Sequence, residues 1–273
     1  MYMGPLNVVY RREKRKEMSL EVLISCMNQL DISLIEKSGI ITDALMINQC
    51  DWDNDLITEK NERRIRKIDV KQRGLSKSRN MAIEYATGDI CLICDDDEIL
   101  NKDYEDVIIH AFEALPQADI IVFQLKNHTS KLKNKIYKLS KLQCLRVCSV
   151  QIAFRREVIK DSTIRFDTWL GAGTPQGCGE ENKFLIDCLQ AGMKIYHYPE
   201  EIGMIDQGES TWFTGFNKEF FYKRGIVTRY ILGKVLATVY AFYYVFGKYY
   251  IYKNDCSLWI AINCILKGIY KQE

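Results

Sequence analysis

The sequence predicts an α/β fold, a mainly parallel sheet flanked by helices with a C-terminal helical, aromatic-rich appendage. Three observations carry this. Short apolar runs alternate with segments of helical period between residues 20 and 125, and that alternation favours parallel strands joined by crossover helices. The runs are unbroken rather than alternating apolar with polar, as strands covered on both faces are. Of the 31 aromatic residues, 15 fall between Thr211 and Tyr252, which sets the last quarter apart.

The elements follow in order. Glu21–Met27 is a buried strand that opens into polar Asn28 and Gln29, and Ala44–Ile47 is a second, stopped by Asn48 and Gln49. Ser76 can cap a helix carrying Met81, Ala82, Ile83 and Tyr85, ended by Gly88. Asp89–Cys94 is an apolar strand that runs directly into Asp95, Asp96, Asp97 and Glu98. Tyr104–Leu115 has helical period and is followed by Pro116; Ile120–Leu125 is the next strand. Residues 126–143 are Lys-rich and read as a surface excursion. Val147–Phe154 reads as a strand, Gly171–Gly179 as a glycine-rich loop, Glu181–Gln190 as a helix and Lys194–Tyr198 as a last strand.

A length of 273 residues suggests one main domain with an addition, at roughly 150 residues per domain. The expected division is a polar leader over 1–18, the α/β domain over 19–210 and a helical segment over 211–273. Hydrophobic residues at 47% against 27% charged exclude a disordered chain. A net charge of +2 argues against a nucleic-acid partner, because neutralising phosphates needs a basic excess. That near balance hides an asymmetry. The chain from Lys223 onward has 8 basic and 2 acidic residues, the part before it 30 and 34. A basic, aromatic tail suits an anionic membrane surface.

Met1–Lys16 lacks an apolar signal core, so the ten cysteines are expected as buried free thiols in a cytoplasmic protein. Cys91 and Cys94 should point to opposite faces of their strand.

Three constellations can carry chemistry. The carboxylates Asp95–Glu98 repel one another unless a cation compensates, and an oxygen-rich cluster suits Mg²⁺ or Mn²⁺. Arg73–Asn80 places basic residues and small hydroxyls at a helix start, a setting for a diphosphate; Asn80 precedes Asp95 by 15 positions. Glu180 and Glu181 open a helix after Gly177-Cys178-Gly179, either as first-turn acids or as a general base. A fourth pattern is rejected. Asp51, Asp53, Asp55, Glu59 and Glu62 mimic a calcium loop, but Leu56 stands where its turn needs Gly.

Ile24-Ser25-Cys26-Met27-Asn28, Arg79-Asn80, Asp95-Asp96-Asp97-Glu98 and Gly179-Glu180-Glu181, in that order, resemble the family 2 glycosyltransferases of the Rossmann-like GT-A fold. The resemblance covers about residues 20–205. It implies inverting transfer from a nucleotide-diphosphate sugar, a UDP-sugar favoured, with Mg²⁺ or Mn²⁺. It implies that Asp95 and Asp97 form the Asp-x-Asp pair, with Asp97 on the metal and Asp96 near the ribose. Ser25, Cys26, Asn28 and Gln49 would line the nucleotide, although they depart from the usual residues. Arg79 would offset the leaving diphosphate. Glu180 and Glu181 would match the family's Glu-Asp pair, with Glu181, one methylene longer than Asp, as the base.

The implied acceptor is a saccharide or lipid-linked molecule in bacterial surface-polysaccharide synthesis, reached from the inner membrane face. A soluble transferase acting on a protein or small molecule, and an inactive nucleotide-sugar-binding homologue, stand as alternatives. The longest charge-free stretch of the tail, Val235–Gly247, has 13 residues, short of the roughly 20 that span a bilayer. The tail is expected either as packed core helices or as an interfacial segment.

Overall fold

A computed structural model describes residues 18–60, 62–126, 132–206, 213 and 215–271. The polar leader therefore lies outside the described residues except for Met18.

The sheet grows from its apolar runs. β1 (Leu20–Met27) pairs in parallel with β2 (Asp43–Gln49) on one side and β5 (Ile90–Asp95) on the other. β3 (Asn54–Lys60) and β4 (Arg63–Val70) form a hairpin whose second strand joins β2 in parallel. Beyond β5 come β9 (Ile152–Arg155), β7 (Ile120–Lys126), β10 (Ile195–Ile205) and the short β6 (Glu98–Leu100), while β8 (Tyr137–Lys138) pairs with β10. The β4-β2-β1-β5 run is parallel; β9 is antiparallel to both of its neighbours.

Two cores cover the two faces. On one face α2 (Leu75–Tyr85), α5 (Arg156–Asp161) and α6 (Glu180–Gln190) contribute Ala82, Ile83, Ile159, Phe184 and Leu185. On the other, α1 (Ser33–Lys37) and α3 (Tyr104–Ala114) contribute Leu34, Ile35, Tyr104 and Ile108. Cys91 enters the first core and Cys94 the second, as strand alternation requires. All ten cysteines are free.

The charged stretch 51–70, to which the sequence assigned no element, forms the β3–β4 hairpin, where Asp55 pairs with Arg66 and Asp53 with Lys71. Two expectations change. Ser76 does not cap α2: the cap position is Gly74, and Ser76 Oγ donates to the Leu170 carbonyl at 2.9 Å. The strand expected over 147–154 begins at Ile152, because Ser149–Gln151 forms a 3₁₀ turn.

The C-terminal segment folds as α7 (Lys218–Gly247), α8 (Tyr249–Tyr252) and α9 (Leu258–Tyr270) around a core of its own that includes Phe221, Tyr252 and Ile265. α7 and α9 cross at Gly225 and Gly268. A Cβ on Gly225 would stand 2.1 Å from the Ile265 carbonyl oxygen, and one on Gly268 2.1 Å from that of Tyr222. No side chain fits between those backbones.

By length and composition α7 is long and apolar enough to cross a membrane. Gly233 (φ 74°, ψ 167°) breaks it, leaving two pieces of about 15 residues, each about 22 Å long against a hydrocarbon core of about 30 Å. Its outer face carries exposed Val235, Val239 and Phe246, and α9 carries Trp259 at 79% exposure. The segment thus combines a packed inner face with an apolar outer one.

Candidate active site

The carboxyl ends of β1, β2 and β5 meet at one edge. Ser25 lies opposite Asp95, and Met27 opposite Gln49. Chain order reverses at β1, which has β2 on one side and β5 on the other, and such switch points open a crevice beyond the strand ends.

Arg79 is the centre of the site. It sits inside α2, 3% exposed. Its Nη2 donates to Asp95 Oδ1 at 2.8 Å and Oδ2 at 3.0 Å, and to Ser149 Oγ at 2.8 Å. Its Nη1 donates to Glu180 Oε1 at 2.9 Å. Burial alone would lower the guanidinium pKa; Asp95 and Glu180 outweigh it and raise the pKa, so the charge is kept. Arg79 Nε and Glu180 Oε2 are buried without a hydrogen-bond partner. The resemblance assigned Arg79 to the leaving diphosphate. The structure instead gives the guanidinium to two carboxylates and a hydroxyl, because it lies beneath the crevice floor.

The acidic cluster divides accordingly. Both oxygens of Asp95 are engaged by Arg79, and Ser149 Oγ also approaches Oδ2 at 3.2 Å. The metal role expected of Asp95 beside Asp97 thus falls on a carboxylate already paired with Arg79 and 25% exposed. Asp96 and Asp97 reach solvent. Asp97's pKa is raised by partial desolvation, then by Asp95 and Asp96, with Asp206 adding to it. Asp206 arrives there because β10 pairs with β6; its N–H donates to the Asp97 carbonyl at 2.7 Å. Asp97 makes no ion pair among the described residues.

A hard divalent cation fits this arrangement, since it would relieve the crowding that raises Asp97. No group of three or more His, Cys, Asp or Glu that could hold a metal forms among the described residues. A cation at Asp97 would complete its shell with phosphate oxygens and water, the usual habit of Mg²⁺.

Glu180 and Glu181 begin α6 as expected. Gly179 precedes them with φ 96°, and a Cβ there would lie 2.7 Å from Val227 Cγ1 of α7. A residue with any side chain would push the helix start away from α7. Glu181's pKa is raised well above the ordinary carboxylate value by burial and then by adjacent Glu180. Arg79 pairs with Glu180 at 2.9 Å, and burial beside that carboxylate favours the protonated form of Glu181. A carboxyl tuned upward is suited to act as a base near neutral pH.

The loop residues fare differently. Ser25 Oγ accepts from Ser78 Oγ at 2.9 Å, on the α2 side. Cys26 points the other way: its thiol is buried against the Ile47 carbonyl at 3.7 Å and Asn48 Oδ1 at 3.8 Å, so it does not face the crevice. Burial pushes that thiol up to about 12. Strand alternation makes both placements unavoidable. Gln49 is buried too, its Oε1 accepting from the Gly74 N–H at 2.6 Å, which ties β2 to the start of α2 rather than to a ligand. Asn28 is exposed in the left-handed region at φ 53°.

Sequence reasoning missed a buried network at the ends of β2 and β4. Asn48 Nδ2 donates to Asp69 Oδ1 at 2.6 Å, Lys67 Nζ to the same oxygen at 2.5 Å, and Trp52 Nε1 to Asp69 Oδ2 at 3.0 Å. The Gln29 N–H donates to Asn48 Oδ1 at 2.8 Å, so this network holds the loop after β1. The Lys-x-Asp spacing over 67–69 was its available signal, two charges on one strand face. Ser149 and Asp206 carried no local signal.

The sheet order, the crevice at β1 and the acidic strand end are those of the GT-A fold. The model of the family described as glycosyl transferase family 2 matches residues 54–167, a span that includes Arg79 and the acidic cluster. The fold matches solved structures of TarS from S. aureus: for a 1–349 fragment the TM-score is 0.59 at 14% identity, covering 93% of this chain and 81% of that one. The fragment in complex with UDP-GlcNAc gives the same TM-score and identity over 92% and 82%. The mannosyltransferase PcManGT from Pyrobaculum calidifontis, in complex with GDP-Man and Mn²⁺, matches with a TM-score of 0.55 at 11% identity over 94% and 89%. At these identities the likeness is one of fold. No curated protein matches by sequence.

Proposed function

We propose that this enzyme transfers a sugar, with inversion, from a nucleotide-diphosphate donor to a saccharide or lipid-linked acceptor. The observation that carries the reading is the contact of Arg79 with both Asp95 and Glu180, which joins the start of α6, where Glu181 stands, to the acidic strand end. Inversion needs a base on the sugar face opposite the leaving group, and a separate segment supplies it here. The complexes of fold relatives with UDP-GlcNAc and GDP-Man support a nucleotide-sugar donor. Asp97 would hold Mg²⁺ or Mn²⁺, which when bound offsets the charge growing on the departing diphosphate.

The chain's own residues do the rest. Arg79 fixes Asp95 at the strand end and Glu180 at the helix start, so floor and base keep a constant separation. Glu181 takes the proton of the attacking hydroxyl. The Asn48–Asp69–Lys67 network holds the loop after β1 beside the nucleotide.

A panel of UDP- and GDP-sugars, assayed with Mn²⁺ for released nucleoside diphosphate, tests the reading. Release dependent on Glu181 supports it. Donor binding without release under any acceptor would favour the inactive homologue.

The outer face of α7 and α9 supports peripheral attachment to an anionic membrane, with basic residues beside exposed aromatics. Co-sedimentation with anionic vesicles at low salt, lost at high salt, is the expected result; protein remaining in the supernatant overturns it.

A further inference from the structure

The basic segment Arg73–Asn80 is only partly used by the machinery above. Arg79 is buried, whereas Arg73 and Lys77 are exposed. The diphosphate expected at this helix start finds few free donors. The Gly74 N–H already donates to Gln49, and the Leu75 N–H donates to the Ala172 carbonyl at 3.3 Å. The hydroxyls of Ser76 and Ser78 are spent on Leu170 and Ser25.

Arg73 and Lys77 instead line a cavity of about 230 Å³ between the first turn of α2 and the loop before α6. Trp169 forms part of the facing wall. Its ring packs on Tyr230 of α7 with centroids 4.6 Å apart. Asp167 fastens both: Oδ1 accepts from the Trp169 N–H at 2.9 Å, and Oδ2 from the Tyr230 hydroxyl at 2.6 Å. Trp169 is thus held in place yet remains 40% exposed.

The charge of the cavity is one-sided. No carboxylate lines it. Arg73 donates from Nη1 to the Cys50 carbonyl at 2.8 Å and from Nη2 to Asp51 at 2.7 Å. Those contacts orient a guanidinium that has five donors to offer, and an exposed pair such as Arg73–Asp51 is weak. Lys77 makes no ion pair among the described residues. The cavity shares Gly173–Pro175 with another of about 320 Å³ at the start of α7, where Glu219 is already paired with Lys223 at 2.7 Å. It shares no residue with the larger groove between α4 (Lys141–Cys144) and the second half of α7.

The cavity also borders the start of α6. A Cβ on Gly171 would lie 3.0 Å from Ser76 Oγ and 3.2 Å from Glu180 Cδ. The loop that walls the cavity therefore rests on the carboxyl next to Glu181.

We infer that this cavity seats a uronic-acid unit of the acceptor saccharide, its apolar C–H face on Trp169 and its carboxylate on Arg73 and Lys77. The inference rests on the glycosyl-transfer reading and narrows its acceptor to an acidic saccharide. Ring and charge select the occupant together. An aromatic face gives a pyranose dispersion contact without regard to charge. Two cations with no carboxylate in the wall favour an anion without needing a ring. A neutral sugar would leave the cations to water, and a free diphosphate would leave the indole wet. A planar carboxylate also matches the guanidinium fork.

The test uses the full chain, with methyl β-glucuronide as probe and its methyl ester, the same ring without the charge, as control. Both are titrated by ligand-detected NMR. The acid is expected to bind about 10-fold more tightly than the ester at low salt, with the preference shrinking at high salt. Lys77→Glu, an exposed substitution, should remove that preference. Trp169→Ala should weaken acid and ester alike by about 5-fold; if it fails to fold without the Tyr230 stack, Lys77→Glu still decides. Equal affinity for acid and ester, or a preference unchanged in Lys77→Glu, overturns the inference. So does a loss of UDP-sugar affinity in Lys77→Glu as large as the loss for the acid, which would give the cations to the donor's phosphates. Donor binding to the wild type separates the two readings. If UDP- or GDP-sugars bind and the acid is not preferred, the acidic acceptor is wrong and glycosyl transfer stands. If no donor binds, glycosyl transfer fails and the acceptor role falls with it.

Discussion

Arg79 and Glu180 are 101 positions apart in sequence and 2.9 Å apart in space, buried at 3% and 6% side-chain exposure. The contact fastens α2, in the half that carries the acidic cluster, to the first residue of α6, in the half that carries Glu181. Because the same guanidinium grips Asp95, any movement of one half is passed to the other.

Arg79→Ala should therefore destabilise as well as inactivate. Removing the cation leaves the buried Glu180 carboxylate uncompensated beside the partly exposed Asp95, a loss of about 3–5 kcal/mol for a broken buried pair. Urea denaturation measures it. Arg79→Lys keeps the charge but cannot donate to Asp95, Ser149 and Glu180 from one plane. We expect a stable protein with turnover reduced by about 10²-fold, the cost of misplaced groups.

Asp97→Asn removes a solvent-facing carboxylate of the acidic cluster. Turnover should fall by about 10²-fold or more with the thermal midpoint held or raised, since a crowded charge is gone. Excess EDTA should silence the wild type. Full activity in EDTA would remove the metal from the mechanism.

The base is tested by comparing neighbours. Glu181→Gln should lower kcat by about 10²–10⁴-fold with donor affinity nearly unchanged. Glu180→Gln weakens the Arg79 clasp, so its loss should appear in stability as well as in rate. A crippling Glu180→Gln beside a mild Glu181→Gln would move the base by one residue.

The raised pKa of Glu181 sets the pH dependence. Activity needs the ionised form, so kcat should climb with pH to a midpoint well above the ordinary glutamate value. Stability runs the other way. In the folded state this carboxyl keeps its proton to higher pH than in the unfolded chain. Between the two pKa values the folded form binds more protons, and stability falls as pH rises. Glu181→Gln should thus gain in thermal midpoint over wild type as pH rises above the ordinary glutamate value, while a role confined to first-turn charge predicts no such gain.

Gly225→Ala tests the C-terminal crossing. Its Cβ meets backbone, which cannot rotate away, so overpacking of about 1–3 kcal/mol or more should loosen α9 from α7. Limited proteolysis should then release the C-terminal helix, with donor binding in the main domain unaffected.

The sequence alone determined the parallel centre of the sheet, since unbroken apolar runs such as 20–27 and 90–94 are stable only when covered on both faces. It also determined the helices at 75–85, 104–114 and 180–190 and the position of the acidic strand end. The β3–β4 hairpin was not legible. Ile65 and Ile68 are three apart, a helical spacing, and the charges of an edge hairpin masked its strand character. Roles were harder still than elements. Arg79 reads as a surface cation in a basic run, and only long-range packing shows it buried between Asp95 and Glu180. Cys26 and Gln49 look like ligand contacts by position, but strand alternation and a neighbouring backbone N–H turn them inward. Ser149 and Asp206 carry no local pattern at all. Periodicity and burial are properties of neighbouring residues and survive in the sequence; the pairing of charges across about a hundred positions is decided by which strands lie side by side, and exists only in the folded chain.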